Sequence, residues 1–296
     1  MEWRSNHVQK LKILKNMKKI SIRLLICGLM IVCIFCAYQI FMTLYEYYTA
    51  DRMYGDLEET YVEASKPDAV EQKPEFPEFK IDMKAMESIN EDFTGWLYYK
   101  DAKISLPLVQ ESKDNVGAYE EYDFEGKKSS SGCPFIAFDA DPDMQMTNTY
   151  IYGHNMKNGS MFGTLKLLYR DKENITDPYF YIFTATGEKI KYRVLAMYVI
   201  PMDGEMYRVP KNEEEQTSYF AAMLRKGSIT KWFPLEEREQ AAVEENNPIV
   251  TLYTCYGAAG TTNRLLVQGV EVLREYINEM DLRESISARK EGRCEG

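Results

Sequence analysis

Two side chains capable of acyl-transfer chemistry stand at the ends of separate apolar runs. Cys255 follows the run 249–254 (IVTLYT), and His154 ends the run 148–154 (NTYIYGH). The chain has two histidines, and the other, His7, lies in a basic N-terminal segment. A cysteine is strongly nucleophilic after modest activation, and a histidine exchanges protons near neutral pH. Because rigid scaffolds hold reactive groups at strand ends, Cys255 and His154 are candidates for a nucleophile and a general acid or base.

Arg264 begins the next run, after the loop 256–262 (YGAAGTT). If the two strands are antiparallel neighbours, Arg264 and Cys255 face each other. A permanent cation there can hold an oxyanion or favour a thiolate. Spacing alone leaves simpler alternatives open, because an isolated cysteine is often a buried small residue and a lone histidine often forms a structural hydrogen bond.

Other site chemistries lack the residues they need. One histidine and two distant cysteines in the body give no paired metal-ligand spacing, whereas structural zinc takes four ligands. GAAG at 257–260 lacks the Lys-Ser/Thr of a phosphate loop, and no G-x-G-x-x-G follows a strand. No serine stands in a G-x-S-x-G motif. The sequence therefore predicts neither a metal site, nor a cofactor site, nor a serine triad.

The charge is divided unevenly along the chain. Residues 1–23 carry seven Lys/Arg and one Glu, and since the whole chain sums to −10, the remainder carries −16. Affinity for phosphates needs concentrated basic residues, so we expect no nucleic-acid partner.

A long apolar segment, 20–42, follows the basic start and carries only one charge, Arg23. Its length suits a membrane span, and the positive-inside rule keeps residues 1–19 in the cytoplasm with the rest of the chain outside. A cleaved signal peptide is the alternative, but its apolar region is normally shorter and ends at a small-residue cleavage site. The sequence predicts a single-pass anchor in the cell membrane with an extracytoplasmic domain.

The six cysteines do not form a disulfide framework. Three lie in the apolar segment and Cys294 lies near the C-terminus, which leaves Cys133 and Cys255 in the body. A bridge between these two is possible by count, yet stapled secreted domains carry more cysteines in less chain. The simplest interpretation of Cys133 is a small apolar residue at the start of a strand.

Eight runs rich in Val, Ile, Tyr and Phe predict a mainly β domain that closes into a barrel. They are WLYYK (96–100), KISLPLVQ (103–110), CPFIAFDA (133–140), NTYIYGH (148–154), YFYIFTA (179–185), KIKYRVLAMYVI (189–200), PIVTLYTC (248–255) and RLLVQGVEVL (264–273). A helix beginning at Asp82 and ended by Gly95 precedes them. Helical insertions are expected at 160–169 and 212–245.

These patterns predict a domain order. A charged, tyrosine-rich stalk or linker, 43–80, with several prolines near its end, follows the membrane span. The folded domain occupies 81–277, and residues 278–296 form a charged tail with no apolar pattern.

Together, TLYTC (251–255) with Arg264 after it, and YGHNMKNGSMFGTL (152–165) upstream, resemble the sortases, more specifically class B. The resemblance covers roughly 82–275, and INEDFTGWL (89–97) and the long insertion before the cysteine strand add to it. It implies an eight-stranded sortase-type barrel, membrane anchoring in a Gram-positive bacterium and cysteine transpeptidation without a cofactor. The implied partners are a surface protein or pilin bearing a C-terminal sorting signal, and an amine of a lipid II-like cell-wall precursor or of a pilin.

The resemblance also implies roles for individual residues. Cys255 is the nucleophile, His154 the general acid and base, and Arg264 the cation near the thioester and oxyanion. Four further positions are weaker candidates for substrate contact, namely Thr254, Tyr253, Asn115 and Tyr207. Tyr253 departs from the class, since many members have a small residue there.

Two other classes of function remain as alternatives. A non-catalytic binding protein on the same barrel is one, although Cys255, His154 and Arg264 are all present. A different cysteine acyl-transfer enzyme is the other, although the chain has neither an S-H-G-C-like motif nor a papain-like C-G-S-C-W motif.

Overall fold

The computed structural model describes residues 2–64, 75–202, 204, 208–257 and 260–276. Tyr207, Cys294 and the predicted tail 278–296 lie outside the described residues.

Helix α1 (Glu2–Tyr61) opens the chain, and its part up to Thr49 forms a compact unit by itself. The portion from Lys19 is long and apolar enough to cross a membrane, with a mean hydropathy of 2.6 over its most apolar window, none of it buried. A membrane span and a signal sequence near the N-terminus both have these properties. The anchor at 20–42 therefore stays a prediction.

The second unit, from Ala50 onward, contains a closed eight-stranded barrel, which confirms the predicted fold class. Its strands are β3 (Phe93–Tyr99), β4 (Ile104–Gln110), β5 (Phe135–Ile136), β6 (Asn148–Tyr152), β7 (Tyr179–Thr184), β8 (Glu188–Pro201), β9 (Ile249–Cys255) and β10 (Asn263–Tyr276). Around the barrel they follow the order β10-β8-β7-β3-β4-β5-β6-β9. Most side chains of these strands are buried, and many of them are β-branched or aromatic, the residue types that favour strands.

Helices and a small sheet surround the barrel. The helices are α2 (Met83–Ile89), α3 (Leu165–Arg170), α4 (Glu213–Gly227) and α5 (Glu237–Glu244). Within the predicted stalk, residues 50–61 continue α1 in the barrel's unit, and β1 (Val62–Ala64) pairs antiparallel with β2 (Phe79–Ile81). Residues 50–64 and the start of β2 therefore contribute structure to that unit, while the predicted domain boundaries stay predictions.

The prediction for the end of α2 is wrong. Asp82 caps its start by accepting a hydrogen bond from the Ala85 amide, but the helix ends at Ile89. Gly95, the predicted terminator, lies inside β3, where a Cβ would be only 2.4 Å from the Phe183 carbonyl oxygen of β7. Glycine is required here because the backbones of β3 and β7 approach closely, and the sequence alone does not distinguish such a glycine from one that ends a helix.

Two strand pairings bring the candidate residues to one end of the barrel. β6 and β9 are parallel neighbours, so their carboxyl ends lie side by side, and β9 pairs antiparallel with β10. A buried polar network crosses these strands: Gln268 donates to the Thr251 hydroxyl at 2.9 Å, and Thr251 donates to Asn148 at 2.8 Å. Because each buried group is specifically partnered, this network favours one register of β6, β9 and β10.

Candidate active site

Cys255 and Arg264 are directly opposite each other in the β9–β10 ladder, as the sequence predicted for antiparallel neighbours. On the other side of Cys255, Tyr152 of β6 is level with Tyr253 of β9. His154 lies two residues beyond Tyr152, and Cys255 lies two residues beyond Tyr253. The strand ladder therefore places His154 and Arg264 on opposite sides of Cys255.

Three hydrogen bonds join the histidine segment to the cysteine strand beyond the regular ladder. The Gly153 amide donates to the Tyr253 carbonyl at 3.2 Å, and the Thr254 hydroxyl donates to the Gly153 carbonyl at 2.6 Å. The Asn155 side-chain amide donates to the Cys255 carbonyl at 2.8 Å. These bonds on either side of His154 fix its backbone relative to Cys255.

The imidazole of His154 is oriented by a backbone carbonyl. Its Nε2 lies 2.8 Å from the carbonyl oxygen of Glu120, at the end of the short 3-10 turn Ala118–Glu120. A carbonyl oxygen only accepts hydrogen bonds, so we assign the hydrogen to Nε2. In the neutral ring the lone pair then remains on Nδ1, which is the nitrogen available for proton transfer.

Arg264 is held by its own loop. Its Nη1 donates to the carbonyls of Thr261 and Asn263, both at 3.1 Å, and its Nη2 lies 3.5 Å from the Met202 sulfur. Two carbonyl partners on one nitrogen fix the plane of the guanidinium. The guanidinium is half-buried and borders the same cleft as Cys255 and His154.

The cleft has a volume of about 250 Å³ and combines an aromatic wall with the three reactive side chains. Phe135, Tyr152 and Tyr253 form that wall, with ring centroids 5.2 Å apart for the first pair and 5.4 Å for the second. Cys255 itself is exposed. An exposed thiol beside an imidazole and a guanidinium is an arrangement suited to nucleophilic acyl transfer.

Thr254 and Tyr253, two of the weaker candidates, also border this cleft. Thr254 is 2% exposed, and its hydroxyl is used in the bond to Gly153, which gives it a structural task. Asn115 borders a separate depression of about 240 Å³, and Tyr119 borders both. The structure therefore does not bring Asn115 into the cysteine cleft, and Tyr207 lies outside the described residues.

Cys133 borders the same cleft from below the surface. It is 3% exposed, and burial raises the pKa of its thiol. Cys133 and Cys255 are both free thiols, so the bridge that was possible by count is not formed. The buried position agrees with the interpretation of Cys133 as a small apolar residue.

Sequence reasoning missed Glu120 and Met202. Glu120 acts through a backbone carbonyl, which no side-chain pattern reveals, and Met202 is 54% exposed beside Arg264. Within the described ranges, no group of three or more His, Cys, Asp or Glu is arranged to hold a metal ion.

Comparison with known proteins identifies the family. The family model described as Sortase domain matches residues 101–272, more than half of the chain. Sortase B of Listeria monocytogenes is 27% identical over 235 residues, covering 79% of this chain and 88% of the relative.

Two solved structures share the fold. The crystal structure of sortase B from Bacillus anthracis in complex with AAEK2 aligns with a TM-score of 0.60 at 25% identity, over 77% of this chain and 98% of that one. A Staphylococcus aureus sortase B–substrate complex aligns with a TM-score of 0.55 at 22% identity, over 66% and 85%. This chain, with its cysteine, histidine and arginine around one cleft, belongs to the sortase family of cysteine transpeptidases, within class B.

Proposed function

We propose that this protein is a membrane-anchored transpeptidase that cuts a C-terminal sorting signal through a thioacyl-enzyme. It then joins the exported protein to an amine of a cell-wall precursor or a pilin. The observation that carries the proposal is that His154, just after β6, Cys255, at the end of β9, and Arg264, on β10, border one cleft.

In the first half-reaction, the Cys255 thiol gives its proton to Nδ1 of His154, and the resulting thiolate attacks the carbonyl carbon of a Thr–Gly or Thr–Asn type bond. A C–S bond forms, and the carbonyl electron pair moves onto oxygen, where Arg264 stabilises the charge. When the tetrahedral intermediate collapses, the C–N bond breaks. His154, protonated on both nitrogens, gives its Nδ1 proton to the leaving amine.

In the second half-reaction, an acceptor amine attacks the thioester carbonyl. By microscopic reversibility, Nδ1 of His154 takes the proton of that amine, a C–N bond forms, and the C–S bond breaks. The hydrogen bond from Nε2 to Glu120 is compatible with both steps, because Nε2 keeps its hydrogen throughout.

The walls of the cleft suit an extended peptide. The aromatic rings of Phe135, Tyr152 and Tyr253 offer apolar surface next to the exposed sulfur. A relative with the same fold has been solved as a sortase B–substrate complex. We therefore assign peptide contacts to Tyr253 and to the surface around it, and propose Asn115 and Tyr207 only as outer contacts.

The N-terminal helix supports the proposed location. Its apolar window carries mean hydropathy 2.6, and seven basic residues within 1–23 precede or begin it. We propose that residues 20–42 span the membrane with residues 1–19 in the cytoplasm, so that the barrel faces exported substrates.

The two alternatives predict different chemistry. A non-catalytic barrel protein forms no covalent adduct with a sorting-signal peptide. A different cysteine acyl-transfer enzyme, such as a peptidase, forms the adduct but releases it to water without preference for an amine.

The test uses the full chain in detergent micelles with fluorescence-quenched peptides whose short motifs end in Thr-Gly or Thr-Asn. We expect cleavage, a thioacyl adduct on Cys255 by mass spectrometry, and faster turnover with an added primary amine. Cys255→Ala abolishes the adduct, and His154→Ala nearly does so. An adduct on another residue, or cleavage that survives Cys255→Ala, contradicts the proposal.

A further inference from the structure

We infer that Tyr54, on the last turns of α1, is a positioning residue for His154 and acts through the backbone of Gly132. The functional part of this inference rests on the proposed role of His154 in proton transfer. The contact itself does not.

Tyr54 belongs to a buried face of α1. Ala50, Tyr54 and Leu57 share one side of the helix, and each is 5% exposed. The Tyr54 hydroxyl donates to the Gly132 carbonyl at 2.5 Å, across 78 residues of sequence. Burial raises the pKa of Tyr54 well above its usual range, so the hydroxyl stays protonated and remains a donor.

Gly132 lies next to both the imidazole and the group that orients it, with no room for a side chain between them. Its φ is +56°, and a Cβ there would lie 2.3 Å from the Tyr119 carbonyl oxygen and 3.1 Å from that of Glu120. The same Cβ would lie 3.2 Å from Cδ2 of His154. The bare glycine backbone is thus packed between Tyr54, the imidazole edge and the carbonyl that accepts from Nε2.

A second hydrogen bond makes these backbone segments move together. The Cys133 amide donates to the Tyr119 carbonyl at 2.9 Å, immediately before Glu120. A shift of Gly132 and Cys133 therefore displaces the Glu120 carbonyl and the wall against the imidazole at once. Tyr54 is the side chain that holds the Gly132 carbonyl in place.

The same helical turn also contacts the loop that follows His154. Asp51 accepts a hydrogen bond from the Asn158 side-chain amide at 2.8 Å, and Asn158 in turn accepts from the Ser160 amide at 3.2 Å. This contact is exposed, so it is weaker than the buried one of Tyr54. The helix therefore borders His154 through both neighbouring loops, and Tyr54 carries most of the effect.

The first measurement compares Tyr54→Phe with Tyr179→Phe in the full chain in micelles. Both remove one hydroxyl, and the Tyr179 hydroxyl donates to Glu239 at 2.5 Å without bordering the cysteine cleft. For Tyr54→Phe we expect kcat on a cleaved quenched peptide to fall about tenfold to a hundredfold, since misplacement by ~1 Å costs on the order of 10²-fold. KM stays within about twofold, because peptide contacts are unchanged. Tyr179→Phe keeps kcat.

The second measurement observes the imidazole directly and needs no substrate. The chain has two histidines, so ¹⁵N-histidine labelling gives two sets of imidazole signals. The signals that remain in a His7→Gln variant belong to His154. We expect the Nε2 proton of His154 to exchange slowly in the wild type and in Tyr179→Phe, and quickly in Tyr54→Phe.

The outcomes separate the two proposals. An unchanged ring proton and unchanged kcat in Tyr54→Phe overturn the inference, and so does an equal loss of kcat in Tyr179→Phe. A faster-exchanging ring proton with unchanged kcat supports the positioning by Tyr54 and overturns the proposed role of His154.

Discussion

Replacing Arg264 by lysine distinguishes a shaped donor from a simple positive charge. The structure holds the guanidinium through Nη1, which donates to two carbonyls at 3.1 Å. Among the described residues, Nη2 has only the Met202 sulfur at 3.5 Å as a partner, so Nη2 and Nε remain as donors in a fixed plane at the border of the cleft. Lysine keeps the charge but has a compact ammonium on a flexible stem, so it cannot satisfy both carbonyls and present a second donor in the same plane.

The expected loss follows from the removal of one oriented donor. Losing one oxyanion donor costs about 2.7–4 kcal/mol of transition-state stabilisation, or on the order of 10²–10³ in rate. If charge alone mattered, Arg264→Lys would retain most activity, since the ammonium remains near the same ladder position opposite Cys255. We therefore expect kcat/KM to fall at least ~10²-fold, with little change in thermal stability because the side chain is only half-buried.

The assay is cleavage of a quenched sorting-signal peptide, with the thioacyl adduct on Cys255 followed by mass spectrometry. Arg274→Lys is the matched control, because Arg274 lies on the same strand, β10, and pairs with Glu188 and Glu271 away from the cleft. It should keep kcat/KM. Near-normal turnover by Arg264→Lys reduces the arginine to a counter-charge, and near-normal turnover by Arg264→Ala removes it from the site.

Three further predictions test the two thiols, helix α1 and the glycine beside the His154 imidazole. Methanethiosulfonate should modify the exposed Cys255 with loss of activity. Replacing the buried Cys133 by alanine should keep activity and lower the free energy of unfolding by about 1 kcal/mol; a folded but inactive Cys133→Ala variant contradicts this assignment. Deletion of residues 1–45 should leave a soluble, folded protein. Deletion of 1–61 should lower Tm sharply, because it removes the buried Leu57, worth roughly 1.5–3 kcal/mol, together with the buried Tyr54 and Ala50; equal Tm values refute the packing argument. Gly132→Ala should reduce both Tm and kcat, because the φ of +56° disfavours a side chain and the new Cβ would lie 2.3 Å from a backbone oxygen. A wild-type kcat in this variant would show that Gly132 does not help to position His154.

The barrel and the ladder partners could be predicted because both depend on strand periodicity. Val, Ile, Tyr and Phe runs with turn residues between them mark strands, and eight of them close into a barrel. The facing of Cys255 and Arg264 follows from a short connection between antiparallel neighbours. The predicted strand at 133–140 is too long, because only Phe135 and Ile136 pair as a strand. The loop residues in its second half have the same apolar composition, so composition alone does not show where the strand ends.

The supports of His154 could not be predicted, for a physical reason. The Glu120 group that orients the imidazole is a backbone carbonyl, which every residue possesses. Position 132 requires glycine because neighbouring carbonyl oxygens leave no space for a Cβ, and the Tyr54 hydroxyl that binds its carbonyl lies 78 residues away in the sequence. Such contacts depend on tertiary packing and leave no periodic signal in the sequence.

The ladder imposes a separation on the proposed chemistry. Neighbouring strands lie ~4.8 Å apart and β9 lies between β6 and β10, so the end of β6 that leads to His154 and the Arg264 position of β10 are roughly two strand spacings apart. They do not compete for one atom of a substrate carbonyl held over the sulfur. Under the proposed mechanism, the oxyanion develops on the β10 side and the amine leaves and enters on the β6 side. The strand ladder sets this spacing, and the loop carbonyls of Glu120 and Thr261 orient the imidazole and the guanidinium within it.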